Sequence, residues 1–158
     1  MSRFIFLDVD GVLNSTNFGH YCTNNGFKEW WTYGLLDQDC IMRLKRLVTQ
    51  TSARIVLCSS WRTSYDHMAW LEQQLALYGL SIYGTTNDNT GMGRGQQIME
   101  WVHNHENCDN FVVFDDDNDT RDYPPEAEVT AHLVVPLYNE GLRDVDIKEA
   151  YKILTGQE

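Results

Sequence analysis

The chain has 158 residues and a formal net charge of −11, a length that predicts one domain over residues 1–158. Hydrophobic residues make up 42% of the sequence, which argues against a disordered protein. The negative charge argues against binding along an extended nucleic-acid duplex, because proteins that do so need a basic surface to neutralise the phosphates. Any phosphorylated ligand must therefore be attracted by local cations or by a bound metal ion.

At the amino terminus, the apolar run Phe4 to Leu7 is too short for the core of a signal peptide. No stretch approaches the ~20 apolar residues of a membrane span, so we expect a soluble, cytoplasmic protein with no membrane partner. The cysteines form no CxxC pair, which disfavours a zinc site and predicts free thiols. They are Cys22, Cys40, Cys58 and Cys108.

Apolar runs alternate with helical periodicity along the chain. Residues 14–34, by contrast, are rich in Asn, Gly and aromatics, and they predict an elaborated loop with short hairpin character. In chain order, the predicted elements are strand 3–8, the loop, a helix from Asp37, strand 54–58, helix 64–77, strand 81–85, helix 96–105, strand 111–114, strand 132–135 and helix 144–154. This alternation predicts an α/β fold, a three-layer Rossmann-like parallel sheet with a small insert after the first strand.

Three of the predicted strands end in polar residues. These ends are Asp8-Val9-Asp10, Ser59-Ser60 and Asp115-Asp116. Because the chemistry of such sheets lies beyond the carboxyl ends of the strands, we expect these side chains to share one site.

The segment Asp8-Val9-Asp10-Gly11 points two carboxylates in the same direction, while Gly11 frees the backbone for a turn. Adjacent carboxylates repel each other unless a proton or a cation lies between them. A hard cation with oxygen ligands, Mg²⁺, satisfies that requirement, and Asp115 and Asp116 after a later strand need the same compensation.

A phosphate group bound at this edge also needs donors. Ser59 or Ser60 can donate a hydrogen bond to a phosphoryl oxygen, or can serve as a turn or cap residue. Arg94 is the only Lys or Arg between Thr63 and Asn110, and the glycines around it would allow close approach to an anion.

The order of these motifs resembles the haloacid dehalogenase-like (HAD) phosphohydrolase superfamily. Its pattern is DxDG after the first strand, Ser or Thr after the second, Lys or Arg before the fourth and an acidic pair after it. Over residues 3–146 the chain resembles the compact branch found in "Swiss army knife" RNA-repair proteins and in phages. The stretches that carry this likeness are Val56 to Arg62, Gly93 to Trp101, Phe111 to Asp117 and Gly141-Leu142. Many members have Lys where this chain has Arg94.

The resemblance implies that Asp8 attacks phosphorus and forms an aspartyl-phosphate, while Asp10 acts first as acid and then as base. It implies a Mg²⁺ ion held by the Asp8 carboxylate, the Asp10 main-chain carbonyl and either Asp115 or Asp116. Ser59 and Arg94 would hold the phosphoryl oxygens. The acid at position 10 favours phosphoryl chemistry over dehalogenation.

The insert 14–34 lies where the superfamily places its specificity cap, and about twenty residues are too few to close the site. An open site suits a nucleotide or a nucleic-acid 3′-phosphate end, and the insert aromatics can either stack on a base or pack the insert. Trp61 and Arg62 follow the phosphate-binding serines, and they either contact the leaving group or pack.

Three other functions compete with this interpretation. One is a phosphatase of a small metabolite that is not a nucleotide, and another is a catalytically idle binding module built around the insert. The third is a calcium-binding loop, because the acids from Asp115 to Glu126 fall at EF-hand positions. Thr120 replaces the required glycine of that loop and Pro124 blocks its exiting helix, so we disfavour it.

Overall fold

The computed structural model describes residues 1–30, 34–88 and 91–157. These form a five-stranded sheet in which every pairing is parallel, in the order β3-β2-β1-β4-β5. The strands are β1 (Arg3–Leu7), β2 (Arg54–Leu57), β3 (Ile82–Thr85), β4 (Asn110–Phe114) and β5 (Leu133–Val134). The first strand of the chain is therefore the central strand, with β2 and β4 on either side. The predicted α/β fold is confirmed.

Helices connect the strands and cover both faces of the sheet. They are α1 (Thr16–Asn24), α2 (Gln38–Thr51), α3 (Tyr65–Ala76), α4 (Arg94–Asn104) and α5 (Asp144–Thr155), with short 3₁₀ helices at Ser60–Thr63 and Glu128–His132. The side chains of Asp37 and Ser64 accept backbone hydrogen bonds at the starts of α2 and α3. Within the described part of the chain, no helix combines the length and apolar character needed to cross a membrane.

Side chains alternate between the two faces of each strand, and this creates two cores. Ile5 and Leu7 of β1 face one way, toward α2, α3 and α5. Phe4 and Phe6 face the opposite way, toward α4, where both rings contact the indole of Trp101 at 4.9 and 5.4 Å between centroids. Burial of both faces explains why the strands are continuous apolar runs.

The insert differs from the prediction, because its first part is the nine-residue helix α1 and not a loop with hairpin character. Ser15 caps α1 by accepting a hydrogen bond from the backbone N–H of Phe18. The helix buries only Gly19 and Cys22. Two buried positions leave no apolar stripe for periodicity to detect.

Most element boundaries differ from the prediction by a single residue, and two of the differences are informative. The last strand contains only Leu133–Val134, because residues 128–132 form a 3₁₀ helix. Helix α4 begins at Arg94, two residues earlier than predicted, so this arginine belongs to the first turn of a helix and not to the preceding loop.

Candidate active site

The candidate site lies at the carboxyl ends of the three central strands. The backbone N–H of Asp8 donates to the carbonyl of Phe114 at 3.0 Å, and that of Cys58 donates to Leu7 at 3.0 Å. These bonds hold the residues that follow β1, β2 and β4 side by side. Asp8 therefore lies at the end of the central strand, between the segments that begin with Ser59 and Asp115.

Arg94 joins the acids of two strand ends. Its Nη1 lies 2.9 Å from Asp115 Oδ2 and 3.3 Å from Asp8 Oδ2. The pKa of Arg94 is raised, since the nearby negative groups, Asp8 foremost, outweigh the opposing effect of burial. The guanidinium thus balances part of the negative charge at the strand ends.

The start of α4 positions this arginine. The backbone N–H of Arg94 donates to Asp122 Oδ1 at 2.9 Å, so a distant side chain caps the helix. A Cβ atom at Gly95 would overlap the carbonyl oxygen of Asp122. This glycine therefore permits close packing of α4 against residues 121–122, rather than the approach to an anion that the sequence suggested.

Asp115 is fixed by three hydrogen bonds. Its Oδ2 accepts from the hydroxyl of Tyr123 at 2.7 Å as well as from Arg94, and its Oδ1 accepts from the backbone N–H of Asp117 at 3.0 Å. Tyr123 is buried, and no sequence pattern indicates its role, because it lies in an irregular segment eight residues further along the chain.

Both carboxylate oxygens of Asp10 are also engaged. Oδ2 accepts from the indole Nε1 of Trp61 at 3.2 Å, and Oδ1 accepts from the Asn14 side chain at 2.9 Å. Asn14 in turn accepts from the backbone N–H of Gly11 at 2.9 Å. A polar residue closing a turn four positions after Asp10 is the signal that could have identified Asn14 from the sequence.

A glycine is required at position 11 of this turn for two reasons. Its φ of +78° is a conformation that L-residues rarely adopt, and a Cβ atom there would lie 2.5 Å from Asp116 Cγ. The side chain of Asp116 therefore covers the turn that follows Asp8.

Asp8, Asp115 and Asp116 can each present one oxygen such that the three atoms lie within 4.8 Å of one another. Three carboxylates and the single guanidinium of Arg94 leave two uncompensated negative charges when all are ionised. Oxygen donors at this spacing suit a hard divalent cation such as Mg²⁺. The residues present therefore fit the expected metal.

Burial and these neighbours change the protonation of the nucleophile candidate. Burial is the largest cause, and with Asp115 it outweighs the opposing effect of Arg94 and raises the pKa of Asp8 from 3.8 to about 8. The pKa of Asp116 is raised as well, chiefly by burial. Without a metal ion, Asp8 therefore tends to hold a proton.

The two serines after β2 have different surroundings. Ser59 is buried, and its hydroxyl oxygen accepts from the backbone N–H of Trp61 at 3.2 Å. Ser60 is exposed and lines a cleft beside Asp10.

Arg62 lies inward rather than toward solvent, with a side chain only 6% exposed. Its guanidinium donates to the carbonyls of Cys58, Ser59 and Thr86 and to the side chain of Gln97. These bonds tie β2 to the segments after β3 and to α4, so the geometry assigns Arg62 to packing.

The cleft beside Asp10 has a volume of about 350 Å³ and separates the insert from the start of α3. On one side Trp61 stacks against His67 with ring centroids 4.8 Å apart. On the insert side, Trp30 lines the cleft, and Phe18 packs edge-on against Trp30. Trp31 and Tyr33, which belong to the insert aromatics expected either to stack on a base or to pack, lie outside the described residues.

The raised pKa of Asp8 predicts how the metal-free protein responds to pH. Asp8 has a pKa of about 8 in the folded state and near 4 in the unfolded state, so its bound proton stabilises the folded protein. This stabilisation is complete below pH ~4 and is lost as the pH rises through 8. In chelator, the free energy of unfolding should fall by up to about 1.4 kcal/mol per pH unit across this range. Asp8→Asn, which mimics the neutral acid, should reduce the slope in urea titrations. Equal slopes for both proteins would contradict the assignment.

A family model described as the HAD domain in Swiss Army Knife RNA repair proteins matches residues 4–147. This range includes β1 from its second residue, the other four strands and every site residue described above. Searches of curated proteins and of solved structures gave no match. The match spans most of the chain. The chain also has the parallel sheet that such a domain requires, and its acids meet at the ends of the strands. The chain therefore belongs to the family of HAD domains found in Swiss Army Knife RNA repair proteins.

Proposed function

We propose that the protein is a Mg²⁺-dependent phosphomonoester hydrolase that acts through an aspartyl-phosphate on Asp8. The observation that carries this proposal is the position of Asp8 at the end of the central strand, with Arg94 and two further acids around its carboxylate. Asp10, two residues along, is held by two hydrogen bonds. Family membership supports phosphohydrolase chemistry.

In the first step, an oxygen of Asp8 attacks phosphorus and the bond from phosphorus to the leaving oxygen breaks. Asp10 gives its proton to that oxygen, so the leaving group departs as a neutral alcohol. In the second step, Asp10 accepts a proton from water as the water attacks the aspartyl-phosphate. Inorganic phosphate leaves, and Asp8 is restored.

The hydrogen bonds to Asp10 serve this role by fixing its orientation. Trp61 and Asn14 each donate to a different carboxylate oxygen, so the carboxyl group cannot rotate freely. An acid whose carboxyl group is already oriented can transfer its proton without the free-energy cost of turning toward the leaving oxygen.

The transferring phosphoryl group needs positive and hydrogen-bonding partners. Arg94 already contacts Asp8 and would bind the phosphoryl oxygens that approach this carboxylate. The oxygen of Ser59 accepts a backbone hydrogen bond, which leaves its O–H to donate to the phosphoryl group. Mg²⁺ held by Asp8, Asp115 and Asp116 would supply the charge that offsets repulsion between carboxylate and substrate.

The proposed substrate is a nucleotide or a nucleic-acid 3′-phosphate end. The occurrence of the family in RNA repair proteins supports this substrate class. The net charge of −11 limits recognition to the terminal phosphate and the adjoining nucleotide, because little cationic surface is available for a longer strand.

Asp8→Asn should abolish turnover of phosphomonoesters in Mg²⁺ while the protein stays folded, because the amide keeps the shape but is not a nucleophile. We expect kcat to fall by more than about a hundredfold, as loss of a nucleophile costs several orders of magnitude. Asp39→Asn, at an exposed acid in the first turn of α2, is the control and should keep full activity. Retention of more than about a hundredth of kcat in Asp8→Asn would rule out the covalent mechanism.

Removal of divalent ions should abolish phosphomonoester turnover, and addition of Mg²⁺ should restore it. Ca²⁺ should support turnover poorly, because its larger and looser coordination draws both oxygens of Asp8 away from attack. Asp116→Asn should raise the Mg²⁺ concentration needed for half-maximal rate. Circular dichroism of the chelated protein provides the folding control. Full activity in excess chelator is the result that this proposal cannot accommodate.

A further inference from the structure

We propose that the cleft beside Asp10 is the leaving-group subsite and that it accepts one uncharged nucleoside, its base stacked on His67. This inference rests on the proposed phosphatase function and specifies its substrate. The lining residues on which the argument depends are Asp10, Asn14, Ser60, Trp61, Thr63 and His67.

Location connects the cleft to the reaction. The leaving oxygen takes its proton from Asp10, so the leaving group must lie on the side of the site where that acid is. Asp10 itself lines the cleft, and Trp61, which also lines it, donates to the Asp10 carboxylate at 3.2 Å. A leaving group bound in the cleft therefore lies next to Asp10, the acid that protonates it.

The shape of the walls favours a flat group. The indole of Trp61 is buried, with only 6% of its surface exposed, and His67 covers it with an interplanar angle of 28°. His67 is exposed, so its second ring face is available to stack on a base. For the sugar and the base edge, Ser60 offers a hydroxyl group at the same cleft. Thr63 keeps its oxygen as an acceptor, because its hydroxyl donates to the carbonyl of Ser60, and Asn14 keeps one amide N–H besides the one that donates to Asp10.

The charge of the walls disfavours an anionic group inside the cleft. No Lys or Arg occurs among the lining residues that the structure describes. Arg62 is turned inward to backbone carbonyls, and Arg94 contacts Asp8 and Asp115. A second anionic group in the cleft would lie beside Asp10 with no cation from these walls to offset the repulsion.

The volume limits how much of a substrate can enter. At about 350 Å³ the cleft is at the small end of ligand pockets, which begin near roughly 300 Å³. It accommodates one nucleoside, and any further nucleotides of a strand must extend into solvent. A mononucleotide should therefore bind as well as a strand end.

The experiment measures kcat/KM in Mg²⁺ for four substrates: a nucleoside 3′-monophosphate, a 3′-phosphorylated oligonucleotide, ribose 3-phosphate, which lacks the base, and 3-phosphoglycerate, whose leaving group is anionic. We expect the nucleoside monophosphate to exceed ribose 3-phosphate by about tenfold or more, the value of one base stack. Phosphoglycerate should be the poorest. The oligonucleotide should fall within about tenfold of the mononucleotide and lose little rate with added salt.

Variants of His67 isolate the stacking contact. His67→Ala should lower the preference for the nucleoside over ribose 3-phosphate about tenfold, mainly through KM, and His67→Phe should restore it. His103→Ala, at an exposed histidine of α4, is the matched control and should leave the preference unchanged.

Any one of four results would overturn the subsite. These are equal rates with and without the base, a preference for phosphoglycerate, a thousandfold preference for the strand, and an unchanged preference for the nucleoside in His67→Ala. In those cases turnover itself would still support the phosphatase. Absence of Mg²⁺-dependent turnover on all four substrates would instead overturn the proposed function, and the subsite with it.

Discussion

The contact of Arg94 with Asp8 and Asp115 is the interaction on which the rest of the site depends. One guanidinium nitrogen lies between carboxylates that follow β1 and β4, and burial of either acid in its ionised form would be costly without a positive neighbour. The arrangement that places Arg94 is spread along the chain. Asp122 caps its helix and Gly95 allows the helix to approach, while Tyr123 from the same segment orients Asp115.

A chain with a net charge of −11 can act on phosphates only if its cations are placed locally. Arg94 provides one such cation, and the acids around it present oxygen atoms at a spacing that suits a divalent ion. Arg62, although close in sequence to the serines, is used to hold the loops together. The negative charge is therefore compatible with phosphate chemistry, and under the proposed function it favours substrates whose remaining groups need no further cation.

The fold and the acids at its edge could be predicted because strand periodicity is local, and the carboxyl ends of parallel strands meet by topology. Helix α1 could not be predicted, since its only buried positions are Gly19 and Cys22. The partners Asn14 and Tyr123 were missed for a different reason. Their roles arise from tertiary contacts with Asp10 and Asp115, and no periodic pattern marks such contacts.

The covalent intermediate is the central claim, and trapping it is the most direct test. The enzyme is mixed with Mg²⁺ and a ³²P-labelled nucleoside 3′-phosphate, quenched with acid within the first turnover and digested for mass spectrometry. The account predicts one phosphoryl group on the peptide that contains Asp8, labile to hydroxylamine and absent from Asp8→Asn. Rapid turnover with no label on the protein, or label on a residue other than Asp8, would contradict it.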